Sequence, residues 1–312
     1  MTWSFAHPES HLLLTMSVVL FLGTLAFVIP TIVAVRRRTA TDALAWADQV
    51  RRDPAAPWGI DRVLRAVDAS CAAAGVVFPG AVRILVGTTV RLDLASPTIA
   101  PPQPWTATPD GRSWSAPMWA LQAVPLTAPA PNEFATVVSL GTDGEENVLV
   151  DLRRVRGIVA LRGEQAARDA VLRRVVDQVR TDPWATGTAV LSVGTGSTLG
   201  VAVSVRDAIA AVAADATPGL LVVAKVPSGE DGRELGRLLE RPGGRWACVA
   251  AAPHPLARWT IEARRDGTHV SDVLGTVRWM DVGLSMPLAA TTQSATTQTD
   301  PAALPDAVEA DA

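Results

Sequence analysis

The chain has 312 residues, 48% of them hydrophobic, and a net charge of −3. That length admits a membrane anchor plus one large or two small domains with a sizeable core. The weak net charge gives no electrostatic footprint for a nucleic-acid partner, and none is expected.

Residues 1–11 carry Glu9, His7 and His11 and precede an uncharged run from Leu12 to Val35. At about 1.5 Å per helical residue the run spans roughly 36 Å, enough for a bilayer core of about 30 Å with some tilt. A soluble core helix must meet water on one side and does not stay apolar all round for that length. Pro30 lies near its end, where membrane helices tolerate a kink. Arg36, Arg37 and Arg38 follow, so the positive-inside rule predicts an extracytoplasmic tail at 1–11, a transmembrane helix at 12–35 and a cytoplasmic remainder. The rival, a cleaved secretory signal, wants a basic start and a shorter apolar core, and the sequence offers neither. The expected location is the inner (cytoplasmic) membrane, single-pass, with lipid as the partner of Leu12–Val35.

Residues 36–60 read as a juxtamembrane segment whose arginines lie near anionic headgroups. Residues 61–130 read as a small α+β subdomain. Its helix, Asp61 to Gly75, has Val63, Leu64, Val67 and Cys71 at helical spacing and Gly75 as a stop. Strands Ala81–Val86 and Thr89–Leu94 turn at Gly87. A proline-rich connection from Ser96 to Pro131 follows, in which Trp105, Trp114 and Trp119 are expected to pin an irregular segment, the alternative being a stacking platform for a ligand.

Residues 131–286 read as an α/β domain. A hairpin over Phe134–Gly141 and Asn147–Leu152 turns at Asp143-Gly144. Strand and helix then alternate: Gly157–Leu161, the amphipathic helix Glu164–Arg180, Thr188–Val193, helix Val205–Ala214, Leu220–Val226, helix Asp231–Glu240, and strands at Arg245–Ala251, Arg258–Ala263 and Gly275–Met280. That alternation predicts a mainly parallel sheet wrapped by helices. From residue 287 the chain is Thr-, Gln- and Ala-rich and then acidic, the composition of a disordered tail.

Little of this carries chemistry. The strand and helix at Gly157–Arg180 have the layout of a P-loop, which needs two glycines, a lysine and a hydroxyl at fixed spacing to wrap phosphate and hold Mg²⁺. Counting from Gly163, those places fall to Arg168, Asp169 and Ala170. The strand Leu220–Val226 ends beside Lys225, where a Mg²⁺-binding carboxylate would be required. ATP hydrolysis by the usual apparatus is therefore not expected. The most glycine-rich loop, Gly194 to Gly200, follows a strand and precedes a helix, the place for phosphate contact. Gly194, Gly196, Ser197 and Thr198 are its candidate nucleotide-binding residues, although Leu199 stands where a dinucleotide fingerprint needs glycine. The four histidines show no metal spacing, no nucleophile elbow is present, and no metal or cofactor is expected. Cys71 and Cys248 lie among apolar residues and read as free buried thiols.

Through Phe134–Gly141, Val148–Leu152, the Gly157–Arg180 strand and helix, and Pro183-Trp184 before Val190–Gly194, the chain resembles actinobacterial membrane proteins. The larger members of that group carry LysM and bacterial transcriptional activator domains. Neither segment is recognisable here, so neither peptidoglycan binding nor transcriptional activation is implied. More distantly, the strand order is similar to FtsK/SpoIIIE-type ATPase domains. With the membrane helix read above, the expected fold is an N-terminal transmembrane helix followed by the small α+β subdomain and a mainly parallel-sheet, P-loop-like α/β domain. The resemblance, over residues 61–282, implies the motor's fold without its phosphate-binding residues. Two functions remain open: a non-catalytic module that docks a membrane or cytoplasmic protein, and a nucleotide sensor or ATPase-like component using Gly194–Gly200.

Overall fold

The structure is a computed structural model that describes residue 16 and residues 57–126, 132–144, 146–195 and 198–279. Apart from Met16, which is helical, the predicted membrane helix at 12–35 lies outside the described residues. So do the juxtamembrane segment up to residue 56 and the acidic tail at 287–312. Among the described residues no helix is long and apolar enough to cross a membrane.

Helix α1 (Pro57–Ala74) opens on a proline, whose missing N–H is no loss in a first turn, and buries Ile60, Val63, Leu64, Val67 and Cys71 along one side. It stops because Gly75 takes φ +66°. Gly75 N–H then bonds Ala72 O at 3.1 Å and Val76 N–H bonds Cys71 O at 2.9 Å, satisfying the last carbonyls. Strands β1 (Ala81–Val86) and β2 (Thr89–Leu94) form a hairpin. The proline-rich connection is more ordered than its composition predicts. It holds β3 (Thr106–Ala107), β4 (Ser113–Pro117) and the short helix α2 (Met118–Gln122), with β4 antiparallel to β2. Trp105 and Trp114 are buried and do pin it, whereas Trp119 is 59% exposed.

The second hairpin joins β5 (Val137–Asp143) to β6 (Glu146–Asp151), with Gly144 at φ +63° in the turn. There follow β7 (Ile158–Gly163), α3 (Gln165–Thr181), β8 (Ala189–Val193), β9 (Val201–Ala202), α4 (Val205–Ala214) and β10 (Gly219–Val223). The chain continues through α5 (Gly229–Glu240), β11 (Trp246–Ala250), β12 (Ala257–Ala263), β13 (Thr268–Ser271) and β14 (Gly275–Arg278).

Among the described residues all the strands join in one 14-stranded sheet, ordered β3-β4-β2-β1-β6-β5-β14-β13-β12-β7-β11-β10-β8-β9. The expected mainly parallel sheet is corrected to a mixed one. From β3 to β12 every neighbouring pair is antiparallel; from β12 to β9 every pair is parallel. The physical reason lies in the connections. Short turns close the hairpins of the first half and of β12–β14, while helices long enough for a crossover occur between β7 and β11. The sheet also takes strands from both 61–130 and 131–286, because β1 pairs with β6 from Arg83↔Val150 to Val86↔Asn147.

Alternation along the strands sorts the core into three. Val148 and Val150 of β6, with Val159, Leu220, Val222 and Val249, face α3, which contributes Val171, Leu172, Val175, Val176 and Val179. Each such side chain stabilises by about 1.5–3 kcal/mol when fully buried, before entropy is set against it. On the other face of the antiparallel half, Leu149, Ile84, Val86 and Leu92 pack under α1 with Trp105, Trp114 and Trp184. On the other face of the parallel half, Leu221, Val223, Cys248 and Ala250 pack under α4 and α5.

Candidate functional site

In an open sheet with helices on both faces, the crevice lies beyond the carboxyl ends of the strands, where crossovers leave in opposite directions. Here β7 crosses to β8 through α3 on one face, and β8 returns through α4 to β10 and α5 to β11 on the other. A cavity of about 650 Å³ opens there, lined by the first turns of α3 (Gln165, Arg168, Asp169, Leu172, Arg173), by Gly194, Thr195, Thr198 and Leu199 after β8, by Ala224 after β10, and by Ala251 and Ala252 after β11.

The strand-to-helix junction is tight. Gly163 ends β7 at φ +103°, and a Cβ there would lie 2.0 Å from Ala263 O on the neighbouring β12, so only glycine fits. One residue, Glu164, separates strand from helix. Its carboxylate makes no cap hydrogen bond to α3 and pairs with Arg265 instead. The N-cap side chain thus leaves the first amides of α3 uncapped, beside the crevice that Gln165 and Arg168 line. Arg168 does not reach outward: its Nη1 donates to Ala251 O at 2.6 Å, tying α3 to the end of β11. Arg173 is exposed and donates from Nε to Asp169 O at 3.1 Å.

The structure brings Gly194 and Thr198 of the predicted set to this cavity; Gly196 and Ser197 lie outside the described residues. Gly194 takes φ +72°, which turns the chain away from β8 while Ala224 N–H bonds Val193 O at 2.9 Å. The loop does not run straight into a helix. It returns through β9, parallel to β8, and Gly200 is required because a Cβ there would lie 2.9 Å from Val190 O. The helix beyond, α4, has its own cap: Ser204 Oγ accepts from Asp207 N–H at 3.2 Å. Any phosphate contact at this crevice thus falls to the start of α3, and Gln165, Arg173 and Thr195 are lining residues that sequence spacing does not single out.

Two of the lining side chains are cationic, Arg168 and Arg173, and Asp169 is the one carboxylate, with no histidine, cysteine or lysine beside it. Among the described residues no proton-transfer pair is assembled there. Among the described residues no group of histidine, cysteine, aspartate and glutamate could hold a metal ion. The strongly shifted groups lie elsewhere. Burial pushes the thiols of Cys71 and Cys248 up to about 11 and about 12, so both stay protonated and inert as free cysteines. Burial raises Asp182, at the far end of α3, to about 7. His254 is half-buried and its Nδ1 accepts from Leu256 N–H at 3.2 Å, a turn contact. No family model, no curated protein and no solved structure matches the chain.

Proposed function

We propose that the protein is a membrane-anchored interaction module whose cytoplasmic α/β domain is a catalytically inactive relative of P-loop ATPase domains. One observation carries this reading: a single residue, Glu164, stands between β7 and α3 where a triphosphate cradle needs a loop of glycines. The order β12-β7-β11-β10-β8, with β7 opening the unit and flanked by β12 and β11, supports the kinship. The loss of chemistry is supported by Arg168 and Asp169 standing where glycine and lysine would be, with Arg168 used to hold Ala251. The anchor rests on the uncharged run Leu12–Val35 and the three arginines after it. The partner in this reading is a membrane or cytoplasmic protein.

The test is a titration of the full-length protein, recovered from membranes, with ATP and Mg²⁺. Neither saturable binding nor phosphate release is expected, and turnover would overturn the reading. A second reading, a nucleotide sensor, is favoured by the cavity that Gly194 and Thr198 share with the uncapped start of α3. It requires saturable ATP or GTP binding without turnover, weakened by Arg173→Glu.

A further inference from the structure

A second cavity, of about 570 Å³, lies on the other side of the molecule's first half, between the C-terminal part of α1 and α2. Its walls are short: Ala69, Ala72 and Ala73 on α1 oppose Ala120, Ala123 and Leu126. Larger side chains at those places would close the space, and an apolar gap of this kind forfeits contacts unless something occupies it. It is also held open. Arg62 Nη2 donates to Leu121 O at 3.1 Å and to Val124 O at 2.6 Å, and also to Gln122 O. The last carbonyls of α2 are thereby fixed to α1, so the far wall cannot slide inward to fill the gap.

Two charged residues line the cavity, Arg65 and Asp68. Arg65 is paired with Asp61 at 3.6 Å. Glu133 is engaged by Arg153 and Arg154. That leaves Asp68, which lines the cavity and has no hydrogen bond or ion pair among the described residues. Burial raises its pKa from the ordinary carboxylate value, and the Glu133 charge adds to the rise.

We propose that this cavity binds a small apolar amine, its ammonium beside Asp68 and its hydrocarbon body between the alanines of α1 and α2. A mostly apolar pocket of several hundred Å³ with a few polar groups, here Arg65, Asp68, Ser70 and Gln103, is the usual form of a small-molecule site. An anionic ligand would meet Asp68 as a like charge, and a neutral one would leave the half-buried carboxylate without a counter-charge. The site is separate from the crevice at the start of α3, and its fate does not depend on what that crevice does.

The experiment is a calorimetric titration of the full-length protein with phenylethylamine, phenylethanol and phenylacetate, three ligands of one shape class and different charge. The amine should saturate and bind about tenfold tighter than the alcohol, with phenylacetate weakest, as befits a charge-assisted hydrogen bond. Asp68→Asn should bring amine and alcohol to equal affinity, and Ala69→Phe should abolish both by filling the space. Equal affinities in the unaltered protein, no saturable binding by any of the three, or an Asp68→Asn protein that keeps its preference would each overturn the proposal. The comparison of three ligands on the unaltered protein decides it even if a variant fails to fold.

Discussion

His269, on β13, is 4% exposed and sets its ring edge-on to Trp279, centroids 5.0 Å apart, with neither nitrogen bonded among the described residues. Arg174 lies over the same indole at 4.6 Å. Burial, then the Arg174 charge, lowers the histidine pKa to about 4, with Asp266 opposing. Its contribution to stability is therefore full above 6.5, the unfolded value, and is lost as pH falls through 4. Asp182 acts in the opposite sense. Raised from 3.8 to about 7 by burial, it favours the folded state while protonated, a contribution full below 3.8 and lost as pH rises through 7. Between pH 4 and 6.5 the two slopes offset each other. Urea midpoints across that window should rise more steeply with pH in Asp182→Asn than in the unaltered protein, and less steeply in His269→Phe. Parallel slopes in all three proteins would contradict both assignments.

At the scale of elements, the junction of β7 with α3 makes its own prediction. Gly163→Ala forces a Cβ against Ala263 O at φ +103°, so β7 and β12 must separate, and a loss of about 3 kcal/mol or more in urea denaturation is expected. Gly187→Ala, at φ +82° with nothing within 4 Å, should lose only the conformational part, about 1 kcal/mol. Why some elements are legible in the sequence follows from their periodicity. In α3 the spacing of Val171, Leu172, Val175, Val176 and Val179 is dictated by one buried face, and these are the residues that face buries. The Asp143-Gly144 turn likewise places β5 and β6. By contrast β4 reads Ser-Trp-Ser-Ala-Pro and β13 Thr-His-Val-Ser, too short and too polar to announce a strand. Pairings such as β1 with β6 leave no local pattern at all, so the mixed sheet could not be read beforehand. The site divides the same way. Gly194 and Thr198 stand out as part of a glycine run, whereas Gln165, Arg173 and Thr195 join them only through the order of strands.

At the scale of the whole molecule, three cores share one sheet. Cys71 lies in the core under α1 and Cys248 in the core under α4 and α5, while α3 lies against β5 of one half and β7, β8 and β10 of the other. A helix that spans both halves couples their unfolding. In a urea series with pulsed thiol labelling, both cysteines should become reactive at the same denaturant concentration; two separate transitions would show that the halves unfold independently. The position of β12, β13 and β14 bears on how the molecule is made. The last of the described strands lie between β5 and β7, in the interior of the sheet. While the ribosome is still adding them, the nascent polypeptide holds two unfinished borders, each a row of open amides and carbonyls. Closure of the described sheet therefore waits for β12, β13 and β14. Until then those open borders are the places where the growing chain can pair with a neighbour.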